Sequence, residues 1–403
     1  MATLVSVHAE RDILVKRHSS AALPPDTSQE QAPPAAPKPP APPRPPTPPA
    51  ASASQSKTPE MPAPAATVAP RVYATPPPAS LPPEGQAASF ISLSTEFDSL
   101  VAPGTVAEVV ADGLHWSEGP VWMAHGDYLL FSDVPENRIY KWSRKSGLSV
   151  YLQPSGYTGT GLSFQEPGSN GLTVDRGGHL VFCQHGNRRI ARMDSHGKIE
   201  PVVDQFNWRR FNSPNDLVFD RRGNLYFTDP PYGHKGLNSS PLKELMFNGV
   251  YLYKASGETV LVDDQVTFPN GIALSPDEKK LYVNVSDADK PVILVYDIGA
   301  DGSIGPSKVF FDTKPLTAGR QGLPDGLKVD VQGNLWTTGP GGMLVISPEG
   351  NLLGMINTGV PTGNCAWGED GSTLFITANH RVLRMKTLTR GYGPWNDRLA
   401  AQQ

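Results

Sequence analysis

Six residues with oxygen-bearing side chains recur along this chain at similar intervals: Glu118, Asn170, Asn215, Asn270, Asp325 and Asn364. Each opens one pattern, an acid or amide usually followed by Gly, then an apolar run, a tight turn, and a second apolar run ending in Thr or Ser. Clear copies are Asn215-Asp-Leu-Val-Phe-Asp-Arg-Arg-Gly-Asn-Leu-Tyr-Phe-Thr and Asp325-Gly-Leu-Lys-Val-Asp-Val-Gln-Gly-Asn-Leu-Trp-Thr-Thr. Successive copies are separated by 52, 45, 55, 55 and 39 residues, the spacing of a repeat architecture rather than of unrelated motifs. Carboxylates and amide carbonyls without His or Cys suit a hard cation. Glu118 and Asp325 would balance a divalent charge. Ca²⁺ is preferred because it accepts roughly 6–8 oxygen ligands in loose geometry, leaving room for water and substrate, with Mg²⁺, Mn²⁺ or Zn²⁺ as substitutes. Asn-Gly and Asp-Gly also suit turns at strand entry, which accounts for Asn170 or Asn364 singly. It does not account for Glu118, because Glu is not a favoured turn residue.

Positioning such residues requires the strands around them. Each copy reads as two short strands joined by a turn. A third strand follows, as in Arg138-Ile-Tyr-Lys-Trp and Gly249-Val-Tyr-Leu-Tyr, and usually a fourth, as in Leu148-Ser-Val-Tyr-Leu and Ser307-Lys-Val-Phe-Phe. Four strands per repeat predict an all-β six-bladed propeller with four-stranded antiparallel blades. The innermost strands would line the channel and set the six oxygen-bearing residues at one height, where unpaired polar groups need a partner. The sixth repeat lacks a fourth strand. An open blade leaves a strand edge unpaired, so Thr105-Val-Ala-Glu-Val-Val-Ala-Asp is expected to close the ring beside Arg381–Met385.

Composition bounds the rest. Of 42 prolines, 22 fall between residues 24 and 83, mixed with Ala and Ser, and such a stretch cannot bury enough surface to offset its ordering entropy. The expected organisation is therefore a disordered proline-rich tail over 1–95, the propeller over 96–390 and a C-terminal extension over 391–403. A net charge of −4 with scattered Lys and Arg gives no nucleic-acid surface. No run of about 18 apolar residues reads as a membrane span. The first 25 residues lack a secretory apolar core, so the expected location is cytoplasmic. Cys183 and Cys365 read as small buried hydrophobes and say little of redox compartment.

Ser117-Glu-Gly-Pro-Val-Trp, Ser213-Pro-Asn-Asp, Phe268-Pro-Asn-Gly-Ile-Ala-Leu-Ser-Pro-Asp and Leu323-Pro-Asp-Gly, in that order at blade spacing, resemble the senescence marker protein 30, gluconolactonase and luciferin-regenerating enzyme family. A more distant similarity is to calcium-dependent organophosphate hydrolases. The resemblance covers about residues 105–385 and implies a cation held by Glu118, Asn215, Asn270 and Asp325, with hydrolysis of lactones or related esters. One branch of that family carries a sugar-binding Arg two residues before its first ligand Asn, where this chain has Ser213. The segment Thr228-Asp-Pro-Pro-Tyr-Gly looks instead like the lid loop of bacterial gluconolactonases, which would make Tyr232 and His185 pocket residues or, equally, plain loop residues at a blade edge.

The expected chemistry is metal-assisted opening of a lactone, the cation polarising the carbonyl and activating water. Asp325 is the candidate catalytic residue, to orient or deprotonate the water, or else a ligand only. Asn170 is a candidate substrate contact. A phosphotriesterase or arylesterase on the same scaffold, and a binding propeller with a structural Ca²⁺, remain open alternatives. The expected partner is a small-molecule lactone or ester.

Overall fold

The structure, a computed structural model, describes residues 76–393. The expected tail over residues 1–75 and the extension over 394–403 lie outside the described residues. Between them the chain forms six antiparallel blades of four strands each, one of which gains a fifth strand at its edge. Blade 1 comprises Ser117–Met123, Tyr128–Asp133, Arg138–Ser143 and Gly147–Leu152, and the same up-and-down order repeats through blades 2 to 5. Blade 6 takes three strands from Asn364–Lys386 and its outermost strand from Glu108–Ala111, with Glu108 opposite Arg384 and Val109 opposite Leu383. The first and last segments of the ring are thus hydrogen-bonded together, as the sequence predicts.

Each blade is covered on both faces by its neighbours. Central strands are therefore buried along their whole length, as at Leu225–Asp229, Gly342–Ile346 and Thr373–Ala378, and read as unbroken apolar runs rather than alternating ones. The outer strand Gly147–Leu152 meets solvent along most of its length. The core is not one mass but six clusters, each between adjacent blades. Val121, Leu130 and Ile139 of blade 1 meet Leu172, Phe182 and Ala191 of blade 2, and Trp336 and Met343 of blade 5 meet Trp367 and Leu374 of blade 6.

Regular structure begins earlier than the boundary at residue 95. Ser89–Ser92 adds a fifth strand to the outside of blade 5, pairing with Leu352–Asn357. A short helix follows, Thr95–Leu100, N-capped by Ser94, whose hydroxyl accepts from Phe97 N at 3.3 Å. Phe97 and Leu100 are buried against the blade 5 and blade 6 cluster. The proline-rich composition, which runs through Pro82-Pro83, hides this strap. Phe97→Ala is expected to cost about 3–5 kcal/mol through the cavity it leaves, read by chemical denaturation. A chain beginning at residue 113, without the closing strand, is expected to show no cooperative unfolding transition. A cooperative transition like that of the full chain would show that closure is dispensable.

Candidate active site

The candidate site grows from the way inner strands approach the axis. Glu118, Asn170, Asn270 and Asn364 lie inside their innermost strands, and Asn215 and Asp325 lie two residues before theirs, so the Asn-Gly and Asp-Gly pairs are not hairpin turns. The glycines answer to crowding instead. A Cβ on Gly119 would come 2.0 Å from Asn170 O, and one on Gly271 would come 2.2 Å from Asp325 O. Ladder irregularities fall at the same places, between Glu118 and Val121, Ser169 and Leu172, and Pro269 and Ile272. There the backbone leaves its own ladder and bonds to the next blade: Gly171 N donates to Asn215 O at 2.7 Å and Gly271 N to Asp325 O at 2.9 Å.

Side chains at the ends of three second strands add to this belt. Ser132 Oγ donates to Asn170 O at 2.9 Å, Thr228 Oγ1 to Asn270 O at 2.7 Å, and Asn284 Nδ2 to Asp325 O at 2.7 Å. With the backbone satisfied sideways, the acid and amide side chains are left for the channel.

Glu118, Asn170, Asn215, Asn270 and Asn364 are buried, and Asp325 keeps some contact with solvent. Burial pushes Glu118 up to about 8, with the charge of Asp216 adding to it and the Gly119 N–H donating to Oε2 at 2.6 Å opposing it. Burial also holds Asp325 well above the usual carboxylate range, followed by the charges of Glu118, Glu166 and Asp216, while Asn270 donates to it. Asn170 Oδ1 is buried without a hydrogen-bond partner. Two raised acids, Glu118 buried beside the charge of Asp216 and Asp325 part-exposed beside the charge of Glu118, with an unpartnered amide oxygen at the same channel, fit a hard divalent cation. Among the described residues no group of three or more His, Cys, Asp or Glu gathers around a metal position, and the candidate set is one of acids mixed with amides.

Each second strand ends beside the start of its innermost strand, so the loops that follow second strands rise around this ring. They bring His185 from blade 2, Tyr232 from blade 3 and Ser286 from blade 4 to the same mouth. Tyr232 stacks on Phe268 with centroids 5.9 Å apart, and its phenol is pushed up by burial, the charge of Asp325 adding to it. His185 is fully buried, its Nδ1 3.4 Å from Glu166 Oε2 but outside hydrogen-bonding geometry. Ser213 binds no pocket. It is fully buried and fastens the lid, its hydroxyl donating to Pro230 O at 2.6 Å and accepting from Gly233 N at 2.9 Å. The lid's other root is polar: Lys243 Nζ donates to Phe247 O at 2.7 Å and Asn248 Oδ1 at 2.8 Å, and Arg188 Nη1 donates to Glu244 Oε1 at 2.9 Å.

Sequence reasoning missed Glu166, His234, Asp216 and Lys328. His234 is fully buried in the lid and held down to about 4 by burial and then by Arg188, which keeps it neutral. Asp216 and Lys328 had a legible signal, because they directly follow or lie three residues after ring positions on channel-lining strands.

Six blades around an axial ring of acids and amides, with the loop after Asp229 fastened by Ser213 beside it, define a six-bladed propeller. A family model described as the SMP-30/Gluconolactonase/LRE-like region matches residues 116–380. The chain belongs to this family. The gluconolactonase of Zymomonas mobilis is 43% identical over 306 residues, which span 74% of this chain and 86% of that protein. The pentonolactonase XacC of Haloferax volcanii is 25% identical over 281 residues, 68% of this chain and 84% of that protein. Among solved structures, a gluconolactonase from Xanthomonas campestris superposes with a TM-score of 0.66 at 28% identity, covering 79% of this chain and 98% of that one.

A raised carboxylate fixes the sign of the pH dependence. The unfolded chain releases the Glu118 proton in the ordinary range near 4.5, whereas the cation-free folded state holds it to about 8. The folded state binds more protons between these values, so stability falls as pH rises through that window. In chelator the melting temperature is expected to drop from about pH 5 to about pH 8. Saturating Ca²⁺, which binds the ionised acids, should remove most of that drop. A melting temperature in chelator that climbs steadily over this window would contradict the burial of Glu118.

Proposed function

We propose that this chain is a lactonase, hydrolysing the carboxylic ester bond of a sugar lactone of the gluconolactone type. The proposed ligands of one divalent cation, Ca²⁺ first, are Glu118, Asn215, Asn270 and Asp325. The observation that carries the reading is the pair of raised acids at one mouth of the channel, Glu118 and Asp325, in a chain 43% identical to a gluconolactonase over most of its length. A cation held there supplies Lewis acidity at the lactone carbonyl.

The chain's own groups do the rest. Asp325, a part-exposed residue, is anchored through its backbone, its N–H donating to Thr338 Oγ1 at 2.8 Å. From there it orients the attacking water and takes its proton. Attack forms the new C–O bond, the ring C–O bond breaks, and the alkoxide takes the proton, giving the open hydroxy acid. The unpartnered Oδ1 of Asn170 accepts a hydroxyl of the substrate. Tyr232 and His185 face the substrate from the lid and the blade 2 loop, and Ser213, by holding Pro230 and Gly233, keeps that wall closed against water.

Asp325→Asn preserves an oxygen ligand and removes a base. Its turnover of glucono-δ-lactone is expected to stay at least about a hundredfold below wild type at saturating Ca²⁺. Asn270→Ala removes a ligand without touching an acid and should recover further as Ca²⁺ is raised. Full recovery of Asp325→Asn would reduce Asp325 to a ligand. A metal-loaded wild type that opens no lactone yet cleaves a phosphotriester would replace the lactonase reading.

A further inference from the structure

Four side chains from four blades join across the channel, the proposed ligand Glu118 among them. Asn364 of blade 6 donates through Nδ2 to Glu118 Oε2 at 3.2 Å and to Asp216 Oδ2 at 3.3 Å. Its Oδ1 accepts from Lys328 Nζ at 3.3 Å and from Cys365 N at 2.9 Å. Lys328 Nζ lies 3.6 Å from Asp216 Oδ2, and the other oxygen of Asp216 accepts from Leu217 N at 2.9 Å. Asp216 is almost wholly buried. The Lys328 stem reaches its position from a cavity of about 350 Å³ at the opposite mouth, between Trp122, Leu172, Val329 and Trp367.

We infer that Lys328 and Asp216 are a charge-compensating pair that tunes the affinity of the ring for a divalent cation and orients Glu118 through Asn364, neither being a ligand itself. The inference rests on the cation reading of the preceding subsection. Its first support is a charge count. Glu118, Asp325 and Asp216 place three acids along one narrow channel, and a divalent cation answers only two of them. The ammonium of Lys328 answers the third. Both ligand acids feel Asp216 as a repelling charge, and Glu118 feels Lys328 as an opposing one. Glu166 is a further acid near Asp325, but it is part-exposed and lies beside His185.

The second support is the orientation of the Asn364 amide. With its oxygen toward the ammonium, its nitrogen points at two carboxylates, and the opposite orientation would set that oxygen against both acids. Lys328 thus fixes which end of Asn364 meets Glu118, and Asn364 with the Gly119 N–H fixes Glu118 Oε2. Removing one member of the pair therefore leaves a buried charge uncompensated, whereas removing both leaves a neutral channel layer.

The test uses the full chain, Ca²⁺ as probe, and isothermal titration with the Ca²⁺-induced melting shift as readouts, so turnover is not needed. Asp216→Asn leaves the ammonium facing the ring alone, and Ca²⁺ affinity is expected to fall at least about tenfold. Lys328→Met leaves a third acid unanswered, so Ca²⁺ affinity rises and the melting temperature in chelator drops. Lys328→Arg, which keeps the charge, should stay within about threefold of wild type. The double variant Asp216→Asn/Lys328→Met should return to within a similar margin, a non-additive cycle. If the double variant binds Ca²⁺ as weakly as Asp216→Asn alone, the ammonium is not felt and the inference is overturned while the cation reading stands. A wild type that binds no divalent cation overturns the ring and the pair together.

Discussion

Six inner strands converge on one axis, and the space left there does not admit a Cβ at several of the positions that follow a ring residue. This crowding governs most of what surrounds it. A side chain on Gly119, Gly271 or Gly326 would overlap the neighbouring blade at about 2 Å. With hydrogen there instead, the backbone of one blade can donate to the carbonyl of the next, and the Ser, Thr or Asn at the end of three second strands reaches such carbonyls too. The belt holds the blades in register at the height where the acids and amides sit. The strap of Ser89–Ser92 and Thr95–Leu100 and the closing strand Glu108–Ala111 act at the outer rim, where they cover an edge and tie the ends of the ring.

The cost of the arrangement is electrostatic. Side chains whose backbones are satisfied sideways have only the channel to enter, and the channel receives more acid than it can hold ionised without a countercharge. Glu118 and Asp325 are both raised by burial, Glu118 adds to the rise of Asp325, and Asp216 adds to each. Such a site is poorly suited to a purely structural part of the fold. It suits the binding of a cation and the chemistry of a carboxylate that holds a proton near neutral pH. The lid is anchored apart from that field, through Ser213 on one side and the Lys243 and Arg188 contacts on the other.

Much of this was legible in the residues. The repeat of an oxygen-bearing residue, an apolar run and a Ser or Thr established six blades, the inner strand of each and the closure by Thr105–Asp112, because a strand edge must be paired and only one segment was spare. It also placed Glu118, Asn170, Asn215, Asn270, Asp325 and Asn364 at one height, since repeats stacked around an axis keep their register. Tyr232 and His185 were singled out through the resemblance of Thr228-Asp-Pro-Pro-Tyr-Gly to a lid loop rather than through the repeat. The strap before residue 95 was not, because its four-residue strand and single helical turn and a half are too short to stand out from the proline-rich stretch they adjoin.

What tertiary structure alone decided are relations between blades. Ser213 stands in sequence where one branch of the family has a sugar-binding Arg, and only the folded loop shows its hydroxyl spent on Pro230 and Gly233. The glycines after ring residues look like turn formers, and only the neighbouring carbonyls show them to be spacers. Asn364 counts as a sixth ring member by register, yet its amide is occupied by Glu118, Asp216 and Lys328 from three other blades. The physical reason is the same in each case. Periodicity along the chain fixes the height of a residue on the axis, whereas its partners across the channel lie tens to hundreds of residues away and are set by closure of the ring.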